Sequence, residues 1–417
     1  MPPQAIFLDT SGLCVHNGRM TAGKPINVRR PEIMAQVRDK VQQYQSALVD
    51  NIRTQGDVLV LDGLEVHLAA AFGFCDGVKR AIEIAYAACR MFEGRRIWLI
   101  GEIIHNPAVN ADLDAMGLRH LPWNMNDPLY EALTEEDVVI MPAFGVSISM
   151  RRLLEQKRVM LVDSTCGNVF RVWQKVRGYA KMGITSVIHG KAKHEESQAT
   201  ASHSCGEDGK GNYIVIFNEA DAQLLCDYIL GRAEREAFMS HFAGCCSEGF
   251  DPDVHLAEMG MANQTTMLKS ETARIQTMLR AAVTERDGDD TRFHAFDTIC
   301  GATQDRQNAL FELLEKPLDA MFIIGGYNSS NTTHLAHIAA KKLPTFFVKE
   351  AECLQSLDSV RCYDLAAKKE LVMSLPAEAQ LLDRPWRIGV TAGASCPANV
   401  IELVIRRLAE LRGCPIV

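Results

Sequence analysis

The sequence lacks any long apolar run. None of its hydrophobic stretches reaches the roughly 20 residues that a membrane-spanning helix needs, and the N-terminal stretch lacks the cationic start of a secretory signal. A positive net charge is also missing: the formal net charge is -8, which argues against nucleic-acid binding by the chain as a whole. We therefore expect a cytoplasmic protein whose partners include neither a membrane nor a nucleic acid.

Nucleotide-binding signatures and disulfide patterns are also missing. The sequence has no Walker-type phosphate loop and no flavin or nicotinamide fingerprint. Its 13 cysteines, an odd number scattered over 417 residues, do not suggest a disulfide framework. We expect a reducing compartment in which some of these cysteines are buried and others bind metal.

Short apolar runs rich in β-branched residues alternate with helical patterns after the first 65 residues. This alternation is typical of an α/β protein with mostly parallel sheets. The strand candidates are residues 96–104, 137–143, 159–163, 185–190, 212–217, 320–326, 344–349 and 387–393.

The same pattern predicts an extension followed by three related domains. Residues 1–65 form a polar N-terminal extension with a helical pattern. The three α/β domains are predicted at residues 66–164, 165–296 and 297–417, and we expect the C-terminal segment to return toward the centre. A chain of this length holds roughly two to four domains.

Three similar motifs each place one cysteine between a strand-like run and a helix. They are GFCDGVKRAIEIA with Cys75, DSTCGNVFRVWQK with Cys166 and DTICGATQDRQNALFEL with Cys300. Helix N-termini favour the thiolate form at such junctions. The three residues are either buried core cysteines or, if the units surround a common centre, ligands of one cofactor. Their long, irregular spacing does not match a zinc finger, whereas three thiolates suit a [4Fe–4S] cluster with one iron left open to substrate.

A second set of motifs places polar side chains at the carboxyl ends of predicted strands, where open α/β sheets bind ligands. Hydroxyls, amides and backbone N–H groups at a helix start can cradle a phosphate. Each residue alone has a structural explanation, because Ser and Asn often cap helices, but their joint occurrence favours a ligand site. The motifs are EIIHNPAVN with His105, HGKAKHEESQAT with His194 and Glu196, ANQTTML with Gln264 and Thr265, IIGGYNSSNTTHL with Ser329, Ser330 and Asn331, and VTAGASCP with Ser395.

Eight ordered motifs in this sequence resemble the 4-hydroxy-3-methylbut-2-enyl diphosphate reductase family, which completes the methylerythritol phosphate route to isoprenoids. The resemblance extends from about residue 60 to 410. The N-terminal extension and the insertion DYILGRAEREAFMSHFAGCCSEGFDPDV resemble the cyanobacterial and plant branch. The resemblance implies three α/β domains in a pseudo-threefold arrangement around a central [4Fe–4S] cluster.

The resemblance also implies a role for each motif residue. Cys75, Cys166 and Cys300 would bind three irons of the cluster and leave one iron site open. Glu196 would supply protons near the substrate hydroxyl, with Thr265 completing that path. The implied activity is reductive dehydroxylation of (E)-4-hydroxy-3-methylbut-2-enyl diphosphate to isopentenyl and dimethylallyl diphosphate, with electrons from ferredoxin or flavodoxin. The substrate diphosphate would be bound by His105, His194, Gln264, Ser329, Ser330, Asn331 and Ser395.

The sequence departs from the family pattern at a few positions. Phe144 stands where the short bacterial members have a pocket histidine, and Phe cannot donate a hydrogen bond to phosphate. Gly167 and Asn168 follow Cys166, where the family usually has Pro and a bulkier residue. We expect the unusual Cys396 to be a packing residue.

Two other functional classes remain open at this point. A non-catalytic iron–sulfur sensor would need the three thiols, but not Glu196, His194 and the Asn-Ser-Ser-Asn turn. A phosphoryl-transfer or phosphate-binding enzyme with structural cysteines would need carboxylates suited to Mg²⁺ or a Walker-type loop. An acidic electron donor would require a local basic face, for which the candidates are Lys79, Arg80, Arg151, Arg152 and Arg171.

Overall fold

Parallel strands with helices on both faces form most of the molecule. The computed structural model describes residues 25–296, 298–377 and 384–416. It contains two parallel sheets, a third that is parallel except for one edge strand, and a small antiparallel sheet. The predicted fold class, α/β with mostly parallel sheets, is therefore confirmed. No helix within the described ranges is both long and apolar enough to cross a membrane.

The described part of the chain begins with two helices and a hairpin. These are α1 (Pro31–Gln42), α2 (Ala47–Thr54), β1 (Val58–Leu61) and β2 (Leu64–Leu68). The helices are separate because Ser46 caps α2, its Oγ accepting a hydrogen bond from the N–H of Val49 at 2.9 Å. Val37 of α1 is buried in a core cluster, so this part of the extension is docked on the body of the protein. The predicted domain boundary at residue 65 falls inside β2, and the domain limits stay a prediction.

Four parallel strands form the N-terminal sheet. Its elements and flanking helices are α3 (Asp76–Met91), β3 (Ile97–Ile100), α4 (Pro107–Ala115), β4 (Arg119–Leu121), a 3₁₀ turn (Pro128–Tyr130), β5 (Val138–Met141), α5 (Ile148–Gln156) and β6 (Met160–Asp163). The strand order is β4-β3-β5-β6. β3 and β5 are buried throughout, because α3 covers one face and Met150 and Leu154 of α5 cover the other.

The middle sheet repeats this arrangement. Its elements are α6 (Gly167–Met182), β7 (Thr185–His189), α7 (Glu195–Ser204), β8 (Tyr213–Ile216), α8 (Glu219–Ile229), α9 (Arg235–His241), α10 (Pro252–His255), β9 (Met259–Asn263), α11 (Lys269–Asp287) and β10 (Phe293–His294). The strand order is β10-β9-β7-β8, all parallel. Helices α8 and α11 pack on one face, and Val172 and Val176 of α6 pack on the other.

The C-terminal sheet joins the two ends of the described chain. Its elements, with a small antiparallel meander, are α12 (Gly301–Leu313), β11 (Ala320–Ile324), α13 (Ser330–Ala340), β12 (Thr345–Val348), a 3₁₀ turn (Ala351–Cys353), β13 (Leu354–Ser356), β14 (Ser359–Asp364), β15 (Lys369–Met373), β16 (Trp386–Ala392) and α14 (Ala398–Leu411). The order is β1-β2-β16-β11-β12, so the returning strand β16 pairs with β2 near the start. Cys396 is fully buried in the core of this sheet.

The strand ends bring the predicted motifs together. In every parallel sheet, the loop after a strand leaves from the same edge. His105 follows β3, Glu196 follows β7, Asn331 follows β11 and Ser395 follows β16. The close approach of two sheets is visible at Gly326, where an added Cβ would lie 2.5 Å from the carbonyl oxygen of His105. The edges of the three sheets therefore face a common centre.

Candidate active site

A cavity lies where these strand ends meet. Including its opening, it encloses about 740 Å³. Residues from all three sheets line it. The predicted site residues in its lining are Cys75, His105, Cys166, His194, Glu196, Thr265, Cys300, Ser329, Ser330, Asn331 and Ser395.

One side of the cavity carries Cys75, Cys166 and Cys300, which we call the thiol wall. Each of them is the residue immediately before a helix, α3, α6 and α12 respectively. Cys75 Sγ accepts a hydrogen bond from the N–H of Val78 at 3.4 Å, and Asn168 Nδ2 donates to Cys300 Sγ at 3.0 Å. Burial raises the pKa of both Cys166 and Cys300, and the charge of the neighbouring thiols adds to this effect. The thiols are thus close enough to oppose one another's ionisation, a cost that a bound metal group would remove.

The spacing of the sulfurs fits a cluster better than a single ion. A single ion bound at about 2.3 Å per sulfur would need three sulfurs within roughly 4 Å of one another. Among the described residues, the three sulfurs do not all lie within 4.8 Å of one another. A Cβ added at Gly77 would lie 2.6 Å from Cys166 Sγ and 3.8 Å from Cys75 Sγ, so only glycine leaves this space open. The spacing therefore does not suit a single ion, and three thiolates are the donor set of an iron–sulfur group.

Backbone hydrogen bonds tie the thiol wall to the rest of the cavity. The acceptors are carbonyls in the loops that line the cavity. Each bond joins the loops that follow two paired strands of one sheet, namely β2 and β16, β6 and β5, and β10 and β9. Each cysteine is therefore fixed relative to a neighbouring loop of the cavity. The N–H of Cys75 donates to Ala394 at 3.2 Å, that of Cys166 to Ala143 at 2.8 Å and that of Cys300 to Thr265 at 3.1 Å.

Glu196 is a buried carboxylic acid between the thiols and the polar residues. Its side chain is 4% exposed, and its Oε1 accepts a hydrogen bond from the N–H of Thr265 at 2.6 Å. Burial raises the pKa of Glu196 to about 7, although the hydrogen bonds from Thr265 act in the opposite direction. A carboxyl group with such a pKa can donate a proton near neutral pH.

The opposite side of the cavity carries hydrogen-bonding side chains, which we call the polar wall. Its two histidines lie edge to face, with ring centroids 5.3 Å apart. His194 Nδ1 accepts a hydrogen bond from the N–H of Glu196 at 3.1 Å, so its proton is on Nε2. Burial lowers the pKa of His194 to about 3, so the ring is neutral and donates through Nε2. The members of the polar wall are His105, His194, Ser329, Ser330, Asn331 and Ser395.

His105 is oriented by a carboxylate. Its Nδ1 donates a hydrogen bond to Glu102 Oε2 at 2.9 Å, and Asn328 Nδ2 donates to the same oxygen at 3.1 Å. Although burial opposes it, the bond from His105 lowers the pKa of Glu102. The buried Nε2 of His105 has no hydrogen-bond partner among the described residues, and it is left for a ligand.

The start of α13 completes the polar wall. Asn331 Oδ1 accepts a hydrogen bond from the N–H of Ala394 at 3.0 Å, and Ser395 Oγ donates to Ser329 Oγ at 3.3 Å. Asn331 Nδ2 and Ser330 Oγ are buried without a hydrogen-bond partner among the described residues. Since buried polar atoms are normally hydrogen-bonded, these donors at a helix N-terminus indicate a site for an anionic ligand.

Gln264 lies behind the cavity lining. Its Oε1 accepts hydrogen bonds from the N–H of Lys191 at 3.0 Å and from Ser197 Oγ at 3.2 Å, and its Nε2 donates to Thr266 Oγ1 at 2.9 Å. The side chain is fully buried. Gln264 thus joins the loops after β7 and β9, and the structure does not bring it into the cavity with the other predicted residues.

The sequence match to a known family covers the whole of this site. Residues 66–409 match the family described as LytB protein. The chain belongs to the LytB family. This range holds all of the thiol wall, the polar wall and Glu196.

Similar proteins carry one common name. A protein of Gloeobacter violaceus, 45% identical over 393 residues that span 91% of each chain, is named 4-hydroxy-3-methylbut-2-enyl diphosphate reductase. A protein of a Synechococcus strain with the same name is 45% identical over 374 residues, 89% of each chain. These relatives confirm the family resemblance that was drawn from the motifs.

Solved structures of the family share the fold. The structure of an (E)-4-hydroxy-3-methyl-but-2-enyl diphosphate reductase, described as the terminal enzyme of the non-mevalonate pathway, has a TM-score of 0.50 and 25% identity. It covers 84% of this chain and 100% of its own. The corresponding reductase of Plasmodium falciparum, 20% identical, has a TM-score of 0.60 and covers 82% of this chain and 87% of its own. At 20% identity, the likeness to the Plasmodium falciparum structure supports the fold alone.

Three residues of this LytB family chain have contacts that were not predicted. Phe144, noted only as a departure, stacks on His105 with ring centroids 4.8 Å apart and an interplanar angle of 15°. The buried Arg306 donates to the carbonyl of Gly73 and places its charge near Cys75 and Cys300. The motif does show a basic residue in the first turns of α12, and this signal could have identified Arg306. The third residue is Asn168, already described on the thiol wall.

Proposed function

We propose that this chain reduces (E)-4-hydroxy-3-methylbut-2-enyl diphosphate to isopentenyl and dimethylallyl diphosphate. Overall, the substrate gains two electrons and two protons, loses its hydroxyl group as water and forms a new C–H bond. The observation that carries the proposal is the meeting of the thiol wall, the polar wall and Glu196 in one cavity. Each of the three parts supplies a different requirement of this reaction.

We propose that Cys75, Cys166 and Cys300 hold a [4Fe–4S] cluster. The sulfur spacing, the open space at Gly77 and the mutual opposition of the thiols to ionisation support this assignment. When bound, such a cluster supplies electrons one at a time and offers a Lewis-acidic iron where it lacks a protein ligand. The nearby guanidinium of Arg306 offsets part of the negative charge of the thiolates.

The polar wall binds the diphosphate. His194 donates from Nε2, Asn331 from Nδ2 and Ser330 from its hydroxyl, and each of these groups faces the same cavity. The N-terminus of α13 adds backbone N–H groups and the positive end of the helix dipole. Diphosphate binding far from the reacting carbon orients the allylic alcohol toward the thiol wall, and it lowers the barrier through positioning.

Glu196 is the proton donor. Because Oε1 accepts the hydrogen bond from Thr265, the acidic proton is placed on Oε2. Glu196 protonates the departing hydroxyl, and the Thr265 hydroxyl, which also hydrogen-bonds the carboxylate, relays a proton from solvent back to Glu196. A proton added at either end of the allyl fragment gives one of the two products.

The electrons come from an external carrier, since the sequence has no flavin or nicotinamide fingerprint. We propose an acidic ferredoxin or flavodoxin. Of the predicted basic candidates, Lys79, Arg80 and Arg171 lie on the thiol-bearing helices α3 and α6. Arg151 and Arg152 lie on α5, where each pairs with a glutamate. A cytoplasmic location fits the free state of all described cysteines.

Turnover under anaerobic conditions tests the function. Purified protein with reconstituted iron and sulfide is given the allylic diphosphate and a chemical one-electron reductant, and both products are quantified. We expect isopentenyl and dimethylallyl diphosphate, together with an EPR signal of a reduced cluster. A cluster signal without product would favour the sensor function, and phosphate release without a cluster would favour a phosphoryl-transfer enzyme.

A further inference from the structure

Asn168 links two of the three thiol motifs. It is the second residue after Cys166 and lies in the first turn of α6. Its side-chain Nδ2 donates to the sulfur of Cys300, the residue before α12, at 3.0 Å. A residue of the Cys166 motif thus places an N–H group against the sulfur of the Cys300 motif.

This contact distinguishes the three sulfurs. Cys75 receives a hydrogen bond from the backbone N–H of Val78, as expected for a residue that caps a helix. The Cys300 side chain does not cap its own helix, and its sulfur receives the side-chain amide of Asn168 instead. Among the described hydrogen bonds to the thiol wall, the bond from Asn168 is the one made by a side chain.

Asn168 is held firmly in this position. It lies in the first turn of α6, whose following residues Val169 and Trp173 are buried. The side chain is half-buried and lines the cavity next to the sulfurs. A short side chain that is anchored by a buried helix face loses little freedom on forming the contact, so the N–H dipole is preorganised toward Cys300.

A preorganised N–H dipole changes the electron affinity of a thiolate-bound group. Adding an electron increases the negative charge on the sulfurs, and a hydrogen bond stabilises the more negative state more strongly. Hydrogen bonds to the sulfurs are one of the determinants of iron–sulfur reduction potentials. We propose that Asn168 is a positioning residue that raises the reduction potential of the group held by the thiol wall. This inference rests on the proposed [4Fe–4S] assignment.

The test is the midpoint potential of the reconstituted full-length protein, measured by an EPR-monitored titration without substrate. Asn168→Leu removes the donor at similar size, and we expect the potential to fall by about 59 mV, a tenfold change in the one-electron equilibrium constant. Asn168→Asp replaces the donor with a carboxylate of the same shape, and we expect a larger fall. Gln174→Leu removes an exposed amide from the same helix and serves as the matched control, with an unchanged potential.

The outcomes separate this inference from the proposed function. If Asn168→Leu binds full iron and sulfide and keeps the parental potential, the inference is wrong while the function stands. If Asn168→Leu fails to assemble the cluster, the midpoint potential of Asn168→Asp decides. A potential equal to or above the parental value in that variant contradicts the inference, and a lower potential supports it. A parent protein that binds no cluster overturns both proposals, and a parent with a cluster but no turnover overturns the function alone.

Discussion

The thiol wall and the polar wall face the same cavity but satisfy their hydrogen bonds differently. On the thiol wall, Cys75 Sγ receives the N–H of Val78 and Cys300 Sγ receives the side-chain amide of Asn168, while the backbone N–H of each cysteine is bonded to a neighbouring loop. On the polar wall, Ser330 Oγ and Asn331 Nδ2 are buried without a hydrogen-bond partner among the described residues. The thiol wall is held by contacts within the protein, whereas the polar wall keeps free donors for a ligand that binds and leaves.

This difference indicates which wall holds a resident group and which binds a substrate. Hydrogen bonds that are made by the backbone survive each turnover and keep the sulfurs in place. Unpaired donors carry an energetic cost until an anion arrives, so that ligand binding is favoured over the empty cavity. Glu196 lies between the two walls and is connected to the thiol wall through Thr265. The N–H of Thr265 donates to the Glu196 carboxylate, and the carbonyl of Thr265 accepts a hydrogen bond from the N–H of Cys300.

Removing a sulfur should produce the largest effect. In Cys75→Ser, Cys166→Ser and Cys300→Ser we expect loss of the cluster and of turnover, because the soft thiolate ligand is replaced by a poorly matched hydroxyl. Iron and sulfide analysis and the anaerobic assay measure this. Cys414→Ser, at a free thiol near the end of α14, is the control. Full iron content and full activity in any of the three variants would remove that residue from the ligand set.

Removing the buried acid should have the next largest effect. Glu196→Gln keeps the shape and the acceptor for Thr265 but cannot donate an acidic proton, so kcat should fall by about 10²–10⁴-fold with KM little changed. Because the pKa of Glu196 is about 7, turnover of the parent should decline as the pH rises above this value. An unchanged kcat would exclude Glu196 as the proton donor.

The same variant gives a readout that is independent of activity. Since the pKa of Glu196 is raised from 4.5 to about 7, its contribution to the free energy of unfolding is fully present below pH 4.5 and is lost as the pH rises to about 7. The urea midpoint of the parent relative to Glu196→Gln should therefore fall between pH 4.5 and 7. A constant difference between the two urea midpoints over this range would show that burial does not raise the pKa of the Glu196 carboxyl.

Removing one donor from the polar wall should have an intermediate effect. His194→Asn keeps an acceptor for the N–H of Glu196 at the start of α7 but loses the Nε2 donor. We expect KM to rise on the order of 10–100-fold, as for one hydrogen bond to a charged group, while stability is retained. His194→Ala, which also loses the cap, should in addition be destabilised by about 1 kcal/mol. Equal KM values for His194→Asn and the parent would take His194 out of the diphosphate site.

The sequence predicted the composition of both walls because their residues follow strands in recognisable motifs. One strand that it missed lacks a β-branched run: β9, MGMAN, contains Gly260, where an added Cβ would lie 2.4 Å from the ring of Tyr179. Contacts between particular loops could not be predicted from the sequence either. The bond from Asn168 to Cys300 and the position of Gln264 behind the lining depend on which loops face each other, and residue spacing does not specify this.

The smallest effect is expected at Phe144, where the family resemblance implies a histidine in the short bacterial members. Its ring stacks on His105, lies 6.3 Å from the ring of His194 and is 8% exposed. Phe144→His would add a donor that faces the polar wall, while it gives up part of a stacking contact worth about 0.5–1.5 kcal/mol. We expect KM to fall less than about tenfold, and most below pH 6.5, where an added imidazole is protonated.

Phe144→Leu is the matched control for this prediction. It removes the stacking without adding a donor, so that His105 loses one support for its orientation toward the diphosphate, and KM should rise a few-fold. If the His and Leu variants raised KM equally, the aromatic face of Phe144 would matter only as a support for His105. In that case the polar wall of this chain would need no additional histidine, because the donors on His194, Ser330 and Asn331 would suffice to hold the anion.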